Sequence, residues 1–200
     1  MGALFSCPVS VLDPDLCHPA WQLTTSGWER LRPSCIVPLT QQDWPFMQHK
    51  LEAKVTHRFA APPESVFDAF VEPEQVRRWQ EAWLSQRCDN GKITAFSYDP
   101  QVQGRFAIET LEDGRTLQNW GTFLALDRPT RIRHTHITDI AEKNDPAIIT
   151  IIIEPEPEGP GSIVTLYDDL DQSQAGALPQ TERGWRHMLE AIDAILAQKT

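Results

Sequence analysis

QTERGWRHMLEAIDAILAQ, residues 180–198, decides the architecture. Trp185, Met188, Leu189, Ile192, Ile195 and Leu196 recur in it at the spacing that winds apolar side chains into one stripe along a helix. Burying a large apolar side chain contributes about 1.5–3 kcal/mol, so a helix carrying this stripe needs a broad apolar partner. Everything upstream that is long enough to supply one reads as strand.

Six strand candidates precede the helix, at about 92–98, 104–111, 115–126, 131–139, 147–154 and 161–170. Turn chemistry separates them: Asp99-Pro100 through Gly104, the hairpin signal Asp113-Gly114, Asp127 to Thr130 around Pro129, Asn144-Asp145-Pro146, and Gly159-Pro160-Gly161. The connections are short enough for an antiparallel meander. Further back, Leu51, Ala53, Val55, His57 and Phe59 alternate with polar residues, the period of a half-buried strand over about 51–60. Two short helices follow it. Pro62-Pro63 and Pro73 suit helix starts, and Glu64 and Glu74 suit the positive end of the helix dipole. Val66, Phe67, Ala69 and Phe70, then Val76, Trp79 and Trp83, supply the apolar faces. The expected fold is α+β: a curved seven-stranded antiparallel sheet, two short helices and one long C-terminal helix over a cavity, in a domain of residues 50–199.

Residues 1–46 differ in texture, with six prolines, three tryptophans, three cysteines and no sustained period, and read as a poorly structured extension. Met47 opens MQHKLEAKVTHRF directly before the first strand and is an alternative translation start; the mass of the endogenous protein distinguishes the two. Cys7, Cys17, His18 and Cys35 lack the closely spaced couples of a structural zinc site, and no metal is expected. Gly2 and Ser6 fit a myristoylation pattern too short to carry weight.

The net charge of −10 repels phosphate backbones and anionic lipid, which argues against nucleic acid as a partner. The most apolar run, Ala147 to Ile153, is strand-sized, so no membrane insertion is expected. Only Cys88 falls inside the domain, so no disulfide framework supports it, and a reducing cytoplasm is the expected compartment.

HRFAAPPESVFDAFVEPEQVRRW at 57–79, through Pro63, Val66, Phe67, Ala69, Pro73 and Trp79, resembles the opening motif of the heat-shock-protein-90 ATPase activator homologues. GRFAIETLEDGRT at 104–116, GTFLALDRPTRIRH at 121–134 and GWRHMLEAIDAIL at 184–196 are similar to the middle strands and last helix of that branch of the START-like, or SRPBCC, superfamily. The resemblance covers about residues 50–199 and implies the helix-grip fold with an apolar ligand cavity. Two departures bear on the ligand. Trp79-Gln80-Glu81 stands where members often carry Trp-Trp-Gly, and Asp168 where they often carry His.

His134 and His136 share one face of a strand, which the resemblance implies is the concave one; a register one residue over exposes both. Asp168 shares parity with Val164 and Leu166 and could orient a histidine. These three are the candidates for a polar or catalytic role. Trp79, Trp83, Phe96, Phe106, Trp120, Tyr167, Trp185 and Met188 are candidates for the cavity wall, as a subset of the core. Arg105 and Glu109 read as solvent face, opposite Phe106 and Ile108.

There is no G-x-S-x-G, phosphate loop, H-E-x-x-H or dinucleotide fingerprint, and Cys88 has no evident base. No cofactor is expected, and catalysis lacks a motif. The leading expectation is a binding protein for an apolar small molecule. The alternatives are a cyclase- or hydrolase-like enzyme on an aromatic or polyketide-like substrate, and a co-chaperone or stress-response module with a chaperone partner. An edge strand or the tryptophan-bearing helical rim could support a homodimer.

Overall fold

The computed structural model describes residues 21–24, 27–30 and 50–198. The chain divides into two units, Met1–Met47 and Gln48–Thr200. In the first, β1 (Trp21–Thr24) and β2 (Gly27–Arg30) pair antiparallel, with Trp21 opposite Arg30. Four residues per strand are too few for alternation to stand out in a sequence, which is why this pair is missing from the reading of the extension. Cys7, Cys17, His18 and Cys35 lie outside the described residues.

The second unit runs β3 (Leu51–Phe59), α1 (Pro63–Val71), α2 (Pro73–Arg87), β4 (Lys92–Tyr98), β5 (Arg105–Glu112), β6 (Arg115–Asp127), β7 (Arg131–His136), β8 (Ala147–Pro155), β9 (Ser162–Leu170) and α3 (Leu178–Ala197). The seven strands β3 to β9 form one antiparallel sheet in the order β3-β9-β8-β7-β6-β5-β4. Every contact in that order is a meander step except β3 against β9, which brings the first strand beside the last. This is the helix-grip arrangement.

Local chemistry accounts for the elements. Prolines occupy the first turns of all three helices, where the missing N–H costs nothing. Asp113 and Gly114 both take positive φ, +48° and +79°, so that Glu112 pairs with Arg115 across a two-residue turn. Glycine adopts that region freely, and the turn's twist matches the strands. β7 ends at His136, three residues short of the predicted strand end. The cause is a capping box: Asp139 accepts from the Ala141 N–H, and Glu142 accepts from the Thr138 and Asp139 N–H groups, opening a 3-10 turn over Ile140–Asn144.

Burial follows strict alternation on β9, where Ser162, Val164, Leu166, Asp168 and Leu170 face inward, and on β8, where Ile149, Ile151 and Ile153 do. Helix α3 lays Met188, Leu189, Ala191, Ile192, Ile195 and Leu196 into the core with Val55, Phe59, Val164 and Leu166. Helices α1 and α2 are fastened by side chains that reach backbone: the Trp79 indole N–H donates to the Ala69 carbonyl at 3.0 Å, and the Tyr98 hydroxyl to that of Phe70 at 2.7 Å. Among the described residues no helix is long and apolar enough to cross a membrane.

Candidate functional site

The sheet and α3 do not close on each other along their whole length. Toward the N-terminal half of α3 they leave a half-open cavity of about 1140 Å³. Trp79 and Trp83 of α2, Tyr98 of β4, Phe106 of β5, and Trp185 and Met188 of α3 supply its aromatic and thioether surface, with Ile149 and Ile151 on the floor. Arg87, Glu112, Gln174, Gln180 and Arg183 are among the polar residues that also line it. Arg87 lies 4.2 Å from the Trp83 ring centroid and 3.2 Å from Glu112, so a cation held by a carboxylate sits on that ring.

His134, His136 and Asp168 all line this cavity. The inward register on β7 is the one realised: His134 pairs with Ile149, and Ile149 with Asp168. His134 and Asp168 therefore sit two strands apart, about 10 Å at the backbone. Asp168 does not orient either imidazole. Its Oδ2 accepts instead from the Trp185 indole N–H, at 2.7 Å, because α3 passes over this end of β9. The Trp185 ring lies 5.5 Å from the ring of His136.

The His134 Nδ1 is 3.0 Å from the Thr135 carbonyl oxygen. A carbonyl only accepts, so Nδ1 carries the proton and Nε2 keeps its lone pair. Burial holds His134 down at about 4, against the opposing pull of that carbonyl. His136 is held at about 4 by burial and then by His134, with Glu142 opposing. Both rings are neutral at pH 7. Asp168 is pushed up to about 6, first by burial, then by the nearby Asp169 and Glu142 charges, while the Trp185 hydrogen bond pulls it down.

Asp168 Oδ1, Asn119 Oδ1 and Trp83 Nε1 are buried without a hydrogen-bond partner. All three residues line the same cavity. A buried polar atom left unpaired costs about 1–3 kcal/mol, so their convergence on one recess points to a polar component in whatever that recess holds.

Three aromatic residues expected on the wall are elsewhere. Phe96 has inward parity, but α2 covers the edge strand there: the Arg77 guanidinium lies 4.8 Å from the Phe96 ring, which stacks on Tyr98. Trp120 pairs with Ala107, one position out of step with Phe106 and Gly121, so it faces the opposite side of the sheet. Tyr167 alternates away from Leu166 and Asp168 and lies under the Lys54 ammonium. Tyr98, Asn119 and Glu142 were missed. Parity along β4 and β6 could have found the first two, and the D-x-x-E capping pattern the third. Burial pushes the Tyr98 phenol well above its ordinary range, so it acts only as a neutral donor to Phe70. Gln80, at the first departure from the family pattern, lines the cavity, whereas Glu81 is exposed. No cluster of three His, Cys, Asp or Glu side chains able to hold a metal occurs among the described residues.

The profile of the family described as Activator of Hsp90 ATPase homolog 1-like protein matches residues 60–197. The chain belongs to that family. Its solved structural neighbours share the fold. A Chromobacterium violaceum protein is 23% identical over 72% of this chain and 95% of its own, with a TM-score of 0.59. A Staphylococcus epidermidis protein is 19% identical over 76% and 92%, with a TM-score of 0.61. An Hsp90 activator from Plasmodium falciparum is 18% identical over 74% and 96%, with a TM-score of 0.55. At these identities the likeness shows the helix-grip fold alone. A search of curated proteins finds no match.

Proposed function

We propose that this family member binds a small, largely apolar molecule between the sheet and α3. The observation that carries the reading is the cavity of about 1140 Å³, walled by Trp79, Trp83, Phe106, Trp185 and Met188. Ligand sites are recesses of about 300–1,000 Å³ with mostly apolar walls and a few placed polar groups. Here His134, His136 and Asp168 are those groups, and the driving force is removal of apolar surface from water. No covalent step is required. Protein purified from its own cells and sprayed under native conditions should carry a small molecule that denaturation releases. A protein that carries none, and admits no apolar probe at high concentration, overturns the reading.

One observation favours a second reading. Asp168, at about 6, is poised for proton transfer near neutral pH, as an enzyme acting on an aromatic or polyketide-like substrate would need. Asp168→Asn, beside His134→Ala and His136→Ala, separates the two: a binder loses modest affinity, an enzyme loses turnover by orders of magnitude. For the co-chaperone reading, support is limited to the family name, and unchanged ATP turnover by a chaperone at saturating protein would remove it.

A further inference from the structure

Asp168 is a carboxylate with no ion-pair partner among the described residues, although Arg87 and Arg183 stand elsewhere on the cavity wall. It is 3% exposed, its Oδ2 is taken by the Trp185 indole, and its Oδ1 has no partner. The charged side chains that bear on it, Asp169 and Glu142, are both acidic. Buried carboxylates are ordinarily paired with a cation or saturated with donors. The neighbouring wall compounds the imbalance. His134 presents a lone pair at Nε2, and Asn119 an unpaired carbonyl oxygen, so two further acceptors line the cavity with Asp168, while the unpaired donor among its buried atoms, the Trp83 indole N–H, stands on α2. Trp185, which anchors Asp168, also contributes an aromatic surface beside it.

Resting on the binding reading above, we infer that the cavity is built for a lipophilic amine: a protonated nitrogen donating to Asp168 Oδ1, with a flat apolar body against Trp185, Phe106 and Trp83. A neutral or anionic ligand of the same shape would leave the carboxylate unpaired or oppose it. An ammonium satisfies it with a charge-assisted hydrogen bond.

Three probes sharing one body test this on the full chain: naphthylmethylamine, naphthylmethanol and naphthoate, followed by calorimetry and tryptophan fluorescence. The amine should bind at least about tenfold more tightly than the alcohol, the worth of a hydrogen bond to a charged group, and naphthoate most weakly. Asp168→Asn should abolish that preference while leaving the alcohol within about twofold. Should the variant not fold, the unmodified protein answers by pH. From pH 7.5 to 5 the amine should lose about tenfold as Asp168, at about 6, takes up a proton, and the alcohol should not. Glu142 and Trp185 bear on Asp168 in this titration, and the neutral His134 and His136, Arg183 and His187 of α3 and Arg87 of α2 line the same cavity; Asp169, Glu52 and Lys54 flank it on the opposite parity. Equal binding of amine and alcohol, or a preference that survives Asp168→Asn, overturns the amine inference and leaves the cavity reading standing. Failure of all three probes overturns both.

Discussion

Acidification should destabilise this protein through two histidines that the fold refuses to protonate. His134 and His136 fall from 6.5 to about 4 on folding, so between those values the unfolded chain binds two protons that the native state does not. Stability is fully present above about 6.5 and is lost as pH drops. Each ring is worth roughly 3 kcal/mol over the whole window. Asp168 works in the opposite sense. Raised from 3.8 to about 6, it binds a proton in the native state before the unfolded chain does, which returns roughly 3 kcal/mol as pH falls through that range. From pH 7 to 4.5 the balance is a net loss of roughly 3 kcal/mol, a large part of the 5–15 kcal/mol that holds a typical domain together. Urea denaturation followed by circular dichroism at pH 7, 5.5 and 4.5 measures it. In the His134→Asn/His136→Gln double variant the net loss of roughly 3 kcal/mol from these groups should become a gain of roughly 2 kcal/mol, because Asp168 alone remains, and Asp168→Asn should increase the acid sensitivity. Glu109 and Asp171, held low by hydrogen bonds, are common to all variants and cancel in the differences. A double variant whose pH profile matches the parent within about 1 kcal/mol, or His134 and His136 imidazole resonances that titrate near 6.5 in the folded protein, would refute the reasoning.

Two further outcomes follow from contacts at the cavity. Gly121→Ala would drive a methyl group onto the Thr135 carbonyl oxygen and to 2.7 Å from the Phe106 ring; overpacking of this kind costs about 1–3 kcal/mol, and the displaced Phe106 should also weaken any apolar probe. Thermal melts and a probe titration read both effects. Trp185→Phe removes the donor to Asp168 Oδ2, leaving a second buried oxygen unpaired. The expected cost is about 1–3 kcal/mol, with the Asp168 carboxyl titrating still higher by carbon NMR; an unchanged titration would mean the indole does not hold it.

The elements themselves were legible because each is a property of a short stretch of chain. The 3.6-residue recurrence from Trp185 to Leu196 survives wherever that helix is placed, the alternation on β9 needs nothing but the strand, and Asp113-Gly114 can turn without help. The same local code placed His134, His136 and Asp168 on one parity each. It could not say what stood opposite them. That Asp168 meets the Trp185 indole rather than an imidazole depends on where α3 crosses β9, at the pairing of β3 with β9 that closes the order of the sheet. That Phe96 lies beneath Arg77 depends on α2 covering an edge strand, and that Trp120 faces outward depends on its register against Ala107. Periodicity is set by bonded neighbours; the wall of a cavity is set by residues distant in sequence, whose meeting is decided only when strands choose their register and helices their crossing points.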